Sequence, residues 1–234
     1  MAGGLAVLLY FAPKLPSEAK QEAKESADFT ASFENALKTA SSDQKDIYDR
    51  LQKGLIKAQT DNNEEAWLAS ANDFLKGARL VPDDKKAPLY KGAINGFEKV
   101  LGLDPGNLPA KTSLGTAIVE SSSMLGNQPM KGITLLREVI AKDSNNIDAN
   151  LQLGLFSVTS QQFDKAIERF KRILRIDSTH IDMYVYLGDT YLTMGQKDKA
   201  IDSYENYKTR VKDTLIVKDI DEYIKKLKQP DVRH

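Results

Sequence analysis

The stretch DMYVYLGDTYLTMGQKDKAIDSY, which runs from Asp182 to Tyr204, decides the fold of this chain. Its apolar and small residues recur at helical spacing: Tyr184, Leu187, Gly188 and Tyr191 in the first half, and Ala200 and Tyr204 in the second half. Side chains three or four positions apart lie on one face of an α-helix. The stretch therefore predicts two helices that pack against each other through these faces.

The same pattern occurs earlier in the chain at a fixed distance. Leu153-Gly154, Ala166 and Phe170 each precede their counterparts by 34 residues, and Leu114-Gly115 precedes Leu153-Gly154 by 39 residues. A period of this length is typical of repeats in which each helix pair buries its apolar face against the next pair. The pattern predicts a stack of helix pairs with one continuous core.

With these residues and this period, the chain resembles tetratricopeptide repeat (TPR) proteins. The resemblance implies an all-α fold, a right-handed TPR superhelix of the α-solenoid type. An N-terminal helical hairpin is expected to precede the repeats, and a capping helix is expected to follow them because the last repeat would otherwise expose apolar surface.

The chain is divided by this register into four parts. These are residues 1–16, an apolar segment; 17–63, the N-terminal helices; 64–214, four repeats; and 215–234, the capping helix and tail. The four repeats span 64–107, 108–146, 147–180 and 181–214. Repeat one is expected to carry its additional residues as a loop from Ala78 to Ala87, with its second helix beginning near Pro88. Repeat two is expected to carry five extra residues between Glu120 and Pro129.

The apolar run from Ala2 to Ala12 has two interpretations. As a helix it would be about 16 Å long, too short for a hydrocarbon core of roughly 30 Å. It is therefore either the remnant of a membrane anchor or a helix packed on the domain. The first interpretation predicts a bacterial inner-membrane protein tethered through its N-terminus, with periplasmic repeats. The second interpretation predicts a cytoplasmic protein.

Composition argues against several classes of function. Lys plus Arg and Asp plus Glu both number 33, so no net charge favours nucleic acid. The chain has no cysteine, and its two histidines, His180 and His234, have no converging partners in the sequence. General acid–base catalysis and zinc binding both need converging groups. We therefore predict a protein that is not an enzyme and uses no cofactor or metal.

Resemblance to TPR proteins implies a concave groove lined by positions two, five, nine and twelve of each repeat. The groove residues predicted to bind a partner are Leu68, Asn72, Leu151, Leu155, Val158, Val185, Asp189 and Leu192, and repeat two adds Pro109, Thr112, Thr116 and Val119. TPR domains that bind chaperone C-termini use Lys and Asn here, and only Asn72 matches. The resemblance implies a scaffold that binds a protein partner as a helix or an extended peptide. The alternative is a groove filled by the chain's own Phe29 to Leu37 segment.

A narrower resemblance concerns the region from Trp67 to Leu174. Its opening Trp67, its insertion ESSSMLGNQPMKGITLL and its third unit DSNNIDANLQLGLFSVTSQQFDKAIERFKRIL look like the TPR domain of bacterial cytochrome c maturation factors. Those proteins are membrane-anchored and hold apoprotein segments. The second hypothesis for function is therefore an apoprotein-holding chaperone of this kind.

Overall fold

The computed structural model describes residues 16–126 and 128–229, and within these ranges every regular element is an α-helix. In order, the helices are α1 (Pro16–Lys38), α2 (Ser42–Asp61), α3 (Glu64–Leu80), α4 (Asp83–Leu103), α5 (Leu108–Glu120), α6 (Ser122–Leu125), α7 (Pro129–Lys142), α8 (Ile147–Thr159), α9 (Phe163–Ile176), α10 (Asp182–Thr193), α11 (Lys197–Lys208) and α12 (Thr214–Lys228). The all-α prediction is confirmed. The apolar segment that the sequence places at 1–16 lies almost wholly outside the described residues.

The chain forms two compact units, which divide within α7. Unit one is Met1–Leu135 and unit two is Leu136–His234. In unit one, α3 packs on α4, α2 packs on α3, and α4 packs on α5. In unit two, the pairs α8–α9 and α10–α11 each pack closely, and α9 contacts α10. Each unit thus consists of consecutive helix pairs, as the 34-residue period predicts.

In repeats one, two and three, the first helix of the repeat begins with the same kind of N-cap. An asparagine side chain accepts a hydrogen bond from the amide three residues later, at distances of 2.7–2.9 Å, in the pairs Asn63–Ala66, Asn107–Ala110 and Asn146–Ala149. Such a cap satisfies an amide that has no partner within the helix, and it contributes about 1 kcal/mol. The caps fix where α3, α5 and α8 begin.

The predicted loop in repeat one is wrong. Residues Ala78 to Leu80 end α3, and α4 begins at Asp83, so Pro88 lies inside α4 and not at its first position. Asp83 and Asp84 occupy the first turn of α4, where carboxylates interact favourably with the helix dipole. The additional residues of repeat one therefore lengthen both of its helices.

The insertion in repeat two lies where the sequence predicts it. After α5 ends at Glu120, the one-turn helix α6 follows, and Gly126 has φ of 65°, in the left-handed region. Glycine adopts this conformation without steric cost, so it can reverse the chain before α7. The five extra residues thus form a short helix and a turn.

Phe29 and Phe33 anchor α1 in unit one. The Phe33 ring centroid lies 5.2 Å from that of Phe74 and 5.9 Å from that of Tyr48, and Phe29 contacts Phe74 edge-on at 5.8 Å. The helix packs mainly against α4 and also contacts α2. Since Phe74 and Asn72 are 200° apart around α3, α1 covers the side of α3 opposite Asn72. The alternative in which this segment fills the groove is therefore wrong for repeat one.

Close packing within repeat four depends on Gly188. A Cβ atom built on Gly188 would lie 2.5 Å from the Tyr204 ring, so only glycine leaves room for that ring. The Tyr204 side chain therefore lies within its own helix pair, and its ring meets Tyr223 of α12 edge-on at 5.4 Å. Helix α12 thus packs on Tyr204 where a following repeat would otherwise lie.

Repeat three uses a buried polar residue where repeats one and four use aromatic rings. Asn150 is only 1% exposed and stands at the position of Trp67 and Tyr184 in repeats one and four. Its amide donates to the carbonyl oxygens of Ser144 and Asn146, at 3.0 and 2.8 Å, and its Oδ1 accepts from Arg169 Nη1 at 3.2 Å. The buried amide is thereby satisfied.

Helix α12 packs on α11, but it buries only part of its apolar face there. Of its apolar residues, Ile224 is buried, whereas Ile216 is 37% exposed and Tyr223 is 41% exposed. An ion pair also joins the two helices, because Lys208 Nζ of α11 lies 2.7 Å from Asp221 Oδ1 of α12. Across 16–126 and 128–229, no helix has the length and hydropathy that crossing a membrane requires.

Candidate protein-binding surface

Unit two gathers five of the predicted groove residues around one apolar cluster. Its buried members come from α9 to α12 and include Phe170, Leu187 and Tyr204. The five predicted residues pack against the cluster and remain partly exposed: Leu151, Leu155 and Val158 on α8, and Val185 and Leu192 on α10. We call these five residues the first-helix surface. It offers apolar side chains on two first helices that are consecutive in the repeat order.

Unit one contributes less accessible surface at the predicted positions. Leu68 and Asn72 of α3 are half-buried, and Leu68 packs against the core of that unit. Thr112 and Thr116 of α5 are buried, at 4% and 5% exposure, so they cannot form an accessible groove. The Thr112 hydroxyl donates to the carbonyl oxygen of Leu108 at 2.9 Å, which lets this polar side chain enter the core. This corrects the sequence prediction for Thr112 and Thr116, whereas Pro109 is exposed and Val119 is partly exposed.

Asp189 is exposed, but its carboxylate has an internal partner. The Tyr204 hydroxyl donates to Asp189 Oδ1 at 2.6 Å. Burial of the phenol, followed by this hydrogen bond, raises the pKa of Tyr204 above its usual range. The carboxylate predicted to face a partner thus also holds α11 against α10.

Another surface, which was not predicted from the sequence, lies between α9 and α11, the second helices of repeats three and four. Residues of α9, α10 and α11 enclose an open groove of about 560 Å³. Its walls and floor include Lys171, Leu174, Tyr184, Tyr191 and Lys199. The only sequence signal was the aromatic pair Tyr184 and Tyr191, which we interpreted as core. We call these five residues the Tyr191 groove.

Within 16–126 and 128–229, no three His, Asp or Glu side chains are grouped to hold a metal ion. The sequence indicates no group near His180, but its Nδ1 lies 3.1 Å from Asp177 Oδ2. Asp177 also accepts from the Thr179 amide at 2.9 Å, so these contacts organise the turn between α9 and α10.

Comparison with known proteins agrees with this architecture. The family model of the tetratricopeptide repeat matches residues 181–208, which comprise α10, α11 and the turn between them. The chain has the tetratricopeptide repeat fold. No curated protein matches the chain with significance.

Solved structures of MamA resemble the TPR stack of this protein. One aligns with a TM-score of 0.54 and 20% identity, covering 80% of this chain and 99% of MamA. A mutant of MamA aligns with a TM-score of 0.52 and 20% identity, covering 71% and 88% of the two chains. At this identity the likeness establishes the fold alone. The narrower resemblance to cytochrome c maturation factors stays a prediction.

Proposed function

We propose that this TPR protein is a non-catalytic scaffold that binds a helix or an extended peptide of a partner protein on its first-helix surface. One observation supports the proposal above all. Leu151, Leu155, Val158, Val185 and Leu192 are apolar, adjoin one cluster and stay partly exposed. Apolar residues grouped in this way are typical of surfaces that bind amphipathic segments.

Leu155 is the residue at which the proposal can be tested. A partner that completes its burial would gain on the order of 1.5 kcal/mol, which corresponds to about tenfold in affinity. The Leu155→Glu variant should lose this gain and also bring an unpaired carboxylate into the contact. Because the side chain is partly exposed in the free protein, the variant should fold with an unchanged melting temperature.

The experiment compares three tagged chains as baits in cells: wild type, Leu155→Glu and the control Lys165→Gln. The control changes the charge by the same amount at an exposed lysine on α9. Quantitative mass spectrometry should find a partner with wild type and Lys165→Gln that is lost with Leu155→Glu. Equal recovery by all three baits would contradict the proposal. A lowered melting temperature of Leu155→Glu would show that Leu155 serves the core instead.

The scaffold and chaperone hypotheses differ in whether the bound protein is folded. A scaffold should recover a folded partner at fixed stoichiometry, whereas an apoprotein-holding chaperone should recover unfolded chains with haem-attachment cysteines. Titration with a reduced, unfolded apocytochrome separates them. Saturable binding that Leu155→Glu abolishes would favour the chaperone.

We also propose that the protein works at the bacterial inner membrane with its repeats in the periplasm. The apolar run from Ala2 to Ala12 supports this location. Fractionation of cells that produce the protein from its native gene tests it, because the run from Ala2 to Ala12 is by itself too short to cross the bilayer. Recovery of the native protein in the cytoplasmic soluble fraction would refute the location.

A further inference from the structure

The packing of α1 shows what kind of segment binds in the groove between α2 and α4, the second helices of two consecutive helix pairs. In unit one, α1 contacts α4 and α2, and its Phe29 and Phe33 rings meet Phe74 of α3. The floor of this contact is therefore a first helix, α3, and its walls are the helices before and after it. An amphipathic helix with two aromatic residues one turn apart occupies this place.

The Tyr191 groove is the corresponding place in repeat four. Phe74 follows Ala71 by three residues, and Tyr191 follows Gly188 by three residues. Ala71 and Gly188 hold the same position of the repeat. The floor of the Tyr191 groove is the first helix α10, and its walls are α9 and α11. Here the groove is open, with a volume of about 560 Å³.

The rim of the Tyr191 groove is basic. Lys171 Nζ and Lys199 Nζ lie 5.9 and 5.6 Å from the centroid of the Tyr191 ring. Arg175 also lines the groove, and the Arg210 guanidinium lies 4.8 Å from the centroid of the Tyr184 ring. Asp202 is the one carboxylate among the described lining residues. Tyr191 is only 9% exposed and Tyr184 is partly exposed, so an approaching segment meets the exposed parts of two aromatic rings flanked by cations.

The helix that occupies the corresponding place in unit one is acidic. Between Pro16 and Lys38, α1 has five carboxylate residues and three lysines. Its Asp28 and Phe29 line one cavity together with Lys91 of α4. A carboxylate of α1 thus lies near a lysine of the helix on which α1 packs. The same combination of charges would suit the Tyr191 groove.

We propose that the Tyr191 groove docks an acidic amphipathic helix of another protein. Two aromatic residues of the partner helix, one turn apart, pack on Leu174, Tyr184 and Tyr191. Carboxylates of the partner helix that flank these aromatic residues pair with Lys171 and Lys199. The partner's charge follows from the rim, and its aromatic spacing follows from Phe29 and Phe33 of α1. This surface differs from the first-helix surface, so the inference does not depend on the function proposed above.

A peptide with the sequence of residues 16–38 serves as the probe because this helix fits the corresponding groove. The chain has no native cysteine, so Asn206→Cys at the groove can carry a single solvent-sensitive dye on the full-length protein. Adding the peptide should shift the dye emission to the blue and saturate. Raising the salt concentration should weaken binding, since the attraction is partly between exposed charges.

Matched variants identify the contacts. Lys171→Glu with Lys199→Glu in the labelled chain should weaken peptide binding about tenfold or more. The control pair Lys165→Glu with Lys218→Glu makes the same charge change at exposed lysines outside the groove and should leave binding unchanged. A peptide with Phe29→Ala and Phe33→Ala should not shift the dye. Circular dichroism should show that all labelled chains are equally folded.

Three results would overturn the inference. The first is the absence of a dye shift with the wild-type peptide. The second is equal binding by the groove pair and the control pair, or by the alanine peptide. The third is a concentration-dependent dimer of the unlabelled chain that Lys199→Glu dissociates, because a second copy of this chain would then be the occupant.

Discussion

The Tyr204 hydroxyl donates a hydrogen bond of 2.6 Å to Asp189 Oδ1 and so joins the second helix of repeat four to its first helix. The two residues are 15 positions apart in the sequence. The phenol is buried, whereas the carboxylate is exposed. A surface residue predicted to contact a partner thus also stabilises the repeat that carries it.

Tyr204→Phe should lower the free energy of unfolding by about 1–2 kcal/mol, because it removes a hydrogen bond to a charged group. Urea unfolding measures the change. Tyr207→Phe, on the same helix and half-buried, is the control and should change the free energy by less than about 0.5 kcal/mol. Similar effects of the two substitutions would show that the bond to Asp189 adds no stability.

Stability should fall as the pH rises above about 10, because burial raises the pKa of three tyrosines, Tyr48, Tyr90 and Tyr204, which retain their protons in the folded state. Burial, followed by the charge of Glu120, raises the pKa of Tyr90 to about 12. Burial and Asp189 also raise the pKa of Tyr204. The unfolded chain loses these protons near pH 10, so the stabilisation is complete below that pH and is lost as the pH approaches 12.

Melting temperatures between pH 8 and 11 test this dependence. A double variant, Tyr90→Phe with Tyr204→Phe, should be less stable at pH 8 yet lose less stability toward pH 11. Parallel curves for the variant and the wild type would assign the alkaline loss to other groups.

Replacing either of two helical glycines by alanine should change the free energy of unfolding, and the two changes should have opposite signs. A Cβ atom on Gly132 would lie 2.5 Å from the Gly115 carbonyl oxygen, so Gly132→Ala must separate α5 and α7 and should cost about 1–3 kcal/mol. A Cβ atom on Gly102 would meet nothing within 4 Å, and Gly102→Ala should stabilise α4 by about 0.5–1 kcal/mol. Thermal unfolding measures both. Gly132→Ala at wild-type stability would contradict the close approach of α5 and α7.

Phe33→Ala should destabilise unit one by about 3–5 kcal/mol, since its ring is 3% exposed and contacts Phe74 and Tyr48. It should also make α1 sensitive to proteases, because Phe33 is one of its two aromatic anchors. The neighbouring Glu34→Ala changes an exposed residue and should have little effect on either measurement. A protease-resistant α1 in Phe33→Ala would show that other contacts hold the helix.

Much of the fold could be predicted because the same residues recur every 34 positions. The pairs α8–α9 and α10–α11 follow from Gly154, Ala166, Gly188 and Ala200. The loop predicted in repeat one failed because Pro and Asp occur both in loops and at helix starts. Here Asp83 stabilises the first turn of α4, and its dipole interaction is not visible from composition alone.

The candidate surfaces were harder to predict than the fold. Burial of Thr116 depends on how α5 packs, which the repeat register does not specify. The Tyr191 groove was missed because Tyr191, like Phe74, is a core residue, and it is only 9% exposed. The repeat period does not indicate whether a separate helix such as α1 covers the groove above this position.

The hydrogen bonds of Asn150 decide where repeat three could be cut for engineering. A module excised as residues 147–180 would leave behind the carbonyl groups of Ser144 and Asn146, which accept the Asn150 amide. A module that begins at Ser144 keeps these acceptors together with Arg169. Chimeric arrays built from this protein should therefore place the junction three residues ahead of α8, so that each transplanted copy brings its own polar partners.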